Sequence, residues 1–159
     1  MSALPQPLAS QPWVIAPMRE ADLDQVMEIE RLSFRAPWSR QVFAEELSRH
    51  FAFLDVLRWS QTGRIVAYCN YWRVADEVHV LKVATHPDAR QMGFASRLLE
   101  HMIHFARRQP CRLVTLEVRR SNEPAQRIYR RFAFKAVGLH PSYYADDNED
   151  AVVMLLELG

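Results

Sequence analysis

Apolar and polar positions along the chain switch between two periods, and the switches outline the elements. Residues 13–18 read as a short strand. Behind Asp22, a residue able to cap a helix start, Leu23, Val26, Met27 and Glu30 recur at helical spacing. After Ala36-Pro37-Trp38, Ser39 can cap a second helix running to about residue 48. Three strand-like runs follow at 51–59, 64–73 and 77–85, divided by Thr62-Gly63 and by Ala75-Asp76. Connections that short predict an antiparallel meander.

Gly93 opens the clearest helix. Ala95, Leu98, Leu99, Met102, Ile103 and Ala106 form one apolar stripe, and Pro110 ends it. Residues 112–118 predict a strand. Ser121 or Asn122 can cap another helix, with Pro124 in its first turn and Ala125, Ile128, Tyr129 and Phe132 turned inward. Residues 134–139 and 151–158 complete the pattern as strands around an acidic loop. The order β-α-α-β-β-β-α-β-α-β-β predicts an α/β fold: a mixed sheet with helices on both faces.

Composition narrows the class. With 159 residues, 49% hydrophobic and 25% charged, the chain fits one soluble globular domain. The domain is expected over 13–159, after a flexible tail at 1–12 marked by Pro5, Pro7 and Pro12. No apolar run approaches the ~18 residues of a membrane span, and the tail lacks the regions of a signal peptide. Cys69 and Cys111 stand without a C-x-x-C partner, so neither a disulfide framework nor a zinc site is expected, and a cytoplasmic setting is. His101 and His104 have no acidic third ligand in register, so no metal is expected either.

The net charge of +1 hides a segregation. Eighteen of the basic residues are arginines, and only Lys82 and Lys135 are lysines. Residues 97–135 carry ten basic against three acidic side chains, whereas residues 140–159 carry five acidic and no lysine or arginine. No nucleic-acid reader motif accompanies the arginines, so direct nucleic-acid binding is not expected, and neither is membrane binding. The basic stretch suits phosphate groups, and the acidic one could attract a cationic peptide terminus.

Between the strand at 77–85 and the long helix lies His86-Pro87-Asp88-Ala89-Arg90-Gln91-Met92-Gly93-Phe94-Ala95-Ser96. Such a loop exposes the first N–H groups of a helix, which have no intrahelical partners and sit at the positive end of its dipole. Backbone alone can bind a pyrophosphate there. Neither a P-loop nor a dinucleotide fingerprint is present, and spacing leaves open a plain turn at Gly93.

Arg90-Gln91-Met92-Gly93-Phe94-Ala95 resembles the [RQ]-x-x-G-x-[GA] acetyl-CoA loop of the GNAT superfamily of N-acetyltransferases. More narrowly, Pro37-Trp38-Ser39, His86-Pro87-Asp88, Leu116-Glu117-Val118-Arg119, Ser121-Asn122, Ile128-Tyr129, Tyr143-Tyr144 and Glu149-Asp150-Ala151 resemble the bacterial ribosomal-protein-alanine N-acetyltransferases (RimI type). The similarity runs from about residue 18 to 158. It implies a mostly antiparallel sheet splayed at the acetyl-CoA site, and acetyl transfer to a protein N-terminal amine, most often the alanine of a small-subunit ribosomal protein. Two departures stand out: Arg97, where relatives usually carry a small residue, and Ala133, where relatives often carry glycine.

The resemblance also implies roles. Glu117 would take the amine proton, directly or through water; the residue alone also allows a carboxylate facing solvent or paired with Arg119. Tyr129 would protonate the leaving thiolate; its spacing alone also fits the core. Asn122 would contact the cofactor, or cap its helix, or both. Backbone groups of Val83, Ala84 and Thr85 would pair with the pantetheine arm as an added strand does, beside the loop 90–96. Trp38, Tyr143 and Tyr144 would wall a peptide slot.

Overall fold

The computed structural model describes residues 12–159, so the expected tail falls outside the described residues except for Pro12. In chain order the elements are β1 (Trp13–Pro17), α1 (Leu23–Ser33), α2 (Arg40–Ser48), β2 (Ala52–Trp59), β3 (Ile65–Val74), β4 (Glu77–Thr85), α3 (Phe94–Arg108), β5 (Leu113–Arg119), α4 (Glu123–Arg131), β6 (Lys135–His140) and β7 (Ala151–Glu157). Short 3-10 turns at Glu20–Asp22 and Pro87–Ala89 precede α1 and α3. The strands form one sheet in the order β1-β2-β3-β4-β5-β7-β6. Every neighbouring pair is antiparallel except β4–β5.

Two cores lie on opposite faces. The stripe of α3 buries Leu98, Leu99, Met102, Ile103 and Ala106 against Val78, Val80, Val114, Leu116 and Val118. On the other face α1 and α2 bury Leu23, Val26, Ile29 and Phe43 against Leu54, Val56, Ile65 and Tyr68. That is why β3 reads as a near-continuous apolar run: Ile65–Tyr71 is covered from both sides. Ser39 caps α2 as expected, its hydroxyl accepting from the Val42 N–H. Asp22 does not cap α1 with its side chain. Its carboxylate accepts instead from the backbone N–H of Arg19 at 2.9 Å and from Arg58 at 3.1 Å, so it locks the preceding turn to β2.

One irregularity positions the site. The β3–β4 register runs from Asn70↔Lys82 to Tyr71↔Val80, so Leu81 is an extra residue that bends β4. At Val80↔Leu116 the parallel pairing with β5 ends, while β5 goes on pairing with β7 as far as Arg119↔Ala151. The sheet therefore parts between β4 and β5, and residues 81–85 of β4 present one edge without a strand partner.

Candidate active site

Along β5, Val114, Leu116 and Val118 point into the α3 core, so Thr115, Glu117 and Arg119 project on the opposite face, at the parting. Glu117 is half-buried there. Its Oε1 lies 2.8 Å from Nε2 of His79 and 3.4 Å from the hydroxyl of Tyr143. Oε2 has no hydrogen-bond partner among the described residues. Glu117 is thus a carboxylate anchored by one oxygen and open at the other. Arg119 is not its partner.

Arg119 instead organises the β6–β7 loop. It bonds Asp146 at 2.8 Å, Asp147 at 3.0 Å and Glu149 at 3.2 Å, with its guanidinium 4.0 Å from the Tyr144 ring. Glu149 also accepts from the Ser121 N–H at 2.7 Å, and Asp150 from the Ser142 N–H at 2.9 Å. These carboxylates are neutralised within the fold, which corrects the expectation that they form a free acidic field for a cationic peptide. They fix the loop that brings Tyr143 to Glu117.

Tyr129 approaches from α4, where its ring packs 5.8 Å from Phe134. Burial pushes its phenol up to about 12, and its hydroxyl has no partner among the described residues. Tyr144 is likewise pushed up to about 12, by burial first and then by Tyr143.

At the start of the long helix, Gly93 is the N-cap of α3 with φ 82°, a conformation that an L side chain adopts only with strain. A Cβ there would meet nothing within 4 Å, so the backbone, not space, requires glycine. Among the described residues no side chain caps this helix, and the N–H groups of Phe94, Ala95 and Ser96 have no partners; Arg97 N–H closes the first turn on Gly93. The Phe94 ring is buried between Trp13 and Trp59, so only its backbone faces the loop. The Arg90 side chain turns back on the protein, bonding the Thr85 carbonyl at 3.2 Å and Ser33 at 3.4 Å. Gln91, at φ 62°, and the exposed Met92 complete the turn. Val83, Ala84 and Thr85 pair with β3 on one side and line the parting on the other. Asn122 caps α4 through Oδ1, accepting from Ala125 at 3.2 Å, and its amide NH2 remains available.

A second network lies under α1, around the glutamate that recurs at helical spacing with Leu23, Val26 and Met27. Glu30, on α1 and fully buried, is bonded by Tyr68 and by Lys82 and accepts from the Trp38 N–H at 2.8 Å. The Lys82 ammonium sits 4.1 Å from the Phe34 ring and 4.0 Å from the Trp38 ring. Trp38 is therefore half in the core, also packing on Phe43. His101 bonds Asp55 at 3.0 Å, and no group of three metal-ligating side chains converges among the described residues. Lys82 and His79 were missed because their partners lie far off in sequence. The parallel register that pairs His79 with Thr115, and so sets it diagonally from Glu117, is the signal that finds one of them.

Known proteins share the sequence pattern and the fold of this chain. The acetyltransferase (GNAT) family model matches residues 23–134. The [ribosomal protein bS18]-alanine N-acetyltransferase of Escherichia coli (strain K12) is 29% identical over 147 residues, covering 91% of this chain and 97% of that protein. A Bacillus subtilis (strain 168) protein provisionally given the same name is 34% identical over 142 residues, covering 89% and 93%. The crystal structure of the ribosomal-protein-S18-alanine N-acetyltransferase from Escherichia coli superimposes with a TM-score of 0.83 over 92% of this chain and 94% of that one. Ard1 from Thermoplasma volcanium, at 22% identity, shares the fold with a TM-score of 0.84 over 94% and 99%. With a parted sheet, an uncapped helix start beside it and a family match over most of its length, the chain belongs to the GNAT family of acetyltransferases.

Proposed function

We propose that the protein transfers the acetyl group of acetyl-CoA to the N-terminal α-amine of a protein, specifically the alanine that begins a small-subunit ribosomal protein, by direct attack with both substrates bound. The observation that carries this reading is Glu117: at the parting of the sheet one oxygen is anchored and the other is open. The names of the relatives support the acceptor. Physical chemistry supports it too. An α-amine has a pKa of ~7.7–8.0, against ~10.4 for lysine, so ~10% or more is already neutral near pH 7 and a modest base suffices.

The site fits the donor. Unpartnered N–H groups of Phe94, Ala95 and Ser96 at the positive end of α3 suit a pyrophosphate, and the open edge of β4 at Val83–Thr85 suits an amide-bearing arm. Acetyl-CoA supplies an activated thioester. The chain's own residues hold it, exclude water and move two protons. Oε2 of Glu117 takes a proton from the attacking amine. Tyr129 is protonated at physiological pH, as a tyrosine of ordinary pKa ~10 already is, and it presents its O–H to the departing sulfur. Solvent restores both groups. Trp38, Tyr143 and Tyr144 wall the acceptor side.

An acceptor panel tests the reading. Peptides beginning with Ala from small-subunit ribosomal proteins should be acetylated at the α-amine, with thiol released in step, and far faster than internal-lysine peptides or polyamines. Preferred turnover of a lysine peptide or polyamine would overturn the acceptor assignment. Donor binding with no thiol release on any amine would overturn catalysis itself.

A further inference from the structure

A histidine stands beside Glu117 where the sheet parts. His79 lies on β4 one residue before the last rung shared with β5, and Glu117 is the first β5 residue beyond that rung. The two side chains meet across the start of the parting at 2.8 Å, Nε2 to Oε1. The other contact on Oε1, from Tyr143 at 3.4 Å, is long for an O–H donor and so is the weaker tether. His79 is itself set on a firm base. Its cross-strand neighbour Trp72 is bonded through Nε1 to the buried Glu46 at 2.7 Å and packs edge-on against Phe51.

We infer that His79 is a positioning residue for acetyl transfer: by holding Oε1 of Glu117 it turns Oε2 toward the acceptor amine. This rests on the assignment of Glu117 as the proton acceptor. A glutamate rotates about three side-chain bonds, and left free at a cleft mouth it spreads over several rotamers. An anchor on one oxygen removes that freedom before substrate arrives, which is the orientation part of catalysis. In the transfer step the amine nitrogen bonds the acetyl carbon and the carbon–sulfur bond breaks. One amine proton passes to Oε2 of Glu117, and the sulfur receives the proton of Tyr129. His79 gains and loses none.

The test compares wild type, H79A, H79Q, E117Q and the double variant H79A/E117Q on an N-terminal alanyl peptide, with acetyl-CoA affinity and thermal midpoint as checks on folding. H79A should lower kcat about tenfold or more, as loss of a hydrogen bond to a charged group does, with KM for acetyl-CoA unchanged. H79Q places an N–H at the same reach and should recover the rate to within about threefold, since it restores the donor. On the E117Q background, H79A should cost nothing further, because its effect passes through Glu117. Full rate in H79A while E117Q is slow would overturn the inference alone. So would a loss in H79Q equal to that in H79A, or an undiminished H79A effect on the E117Q background. Full rate in E117Q would overturn the base assignment, and this inference with it.

Discussion

Two regions of the molecule hold a similar chemical set in opposite states. Under α1, Glu30 is completely buried, with both oxygens bonded, to Tyr68 on one side and to Lys82 and the Trp38 N–H on the other. At the parting, Glu117 keeps one oxygen open, and the Tyr129 hydroxyl has no partner among the described residues. Each region has a carboxylate, a tyrosine and a nitrogen base. In the first every polar atom is answered from within, so the set holds the fold. In the second, Oε2 of Glu117 and the Tyr129 hydroxyl are unanswered among the described residues, which suits the proton transfers proposed for them. Burial alone would have chosen Glu30.

The largest expected effect sharpens that contrast. Glu117→Gln should lower kcat by about 10²–10⁴-fold, the range for a lost general base, while unfolding by urea stays near wild type. Lys82→Met should do the reverse. It leaves Glu30 charged, buried and short of a partner, and should cost about 3 kcal/mol of unfolding free energy. If Lys82→Met were neutral in stability, the Glu30 region would not be the structural half of the pair. Tyr129→Phe comes next, with about a 10²-fold loss in kcat and unchanged acetyl-CoA affinity.

Tyr129 also gives a pH effect. Burial pushes its phenol from the ordinary tyrosine value of ~10 up to about 12, so the folded state holds the phenolic proton more tightly. Stability tied to it is intact below pH 10 and falls as pH rises toward 12. At pH 11 Tyr129→Phe should spare about 1 kcal/mol of that loss, read from urea midpoints at pH 9 and pH 11. The smallest effect lies outside both regions. Ala133 has φ 73°, and Ala133→Gly should raise stability by about 1 kcal/mol with no change in rate.

The fold was legible where the pattern is local. The α3 stripe, the caps at Ser39 and Asn122, and the meander of β2, β3 and β4 all come from residues within a few positions of one another. Gly93 was legible because a left-handed N-cap needs it. What was not legible depends on register. The bulge at Leu81 and the short parallel pairing of β4 with β5 create the cleft, and no residue in either strand announces them. His79 and Glu117 are 38 residues apart, and Lys82 and Glu30 are 52 apart, so their pairing follows from the sheet and not from spacing. The acidic residues after His140 misled for the same reason: their counter-charges Arg119, Arg120 and Arg35 come from distant elements.

The most direct test of the open oxygen on Glu117 is a single-turnover measurement. Wild type and Glu117→Gln, each saturated with acetyl-CoA, are mixed with an N-terminal alanyl peptide, and acetylated product is followed against donor affinity measured by calorimetry. The expected result is a transfer rate about 10²-fold or more below wild type at unchanged affinity for acetyl-CoA. Equal transfer rates in the two proteins would contradict it.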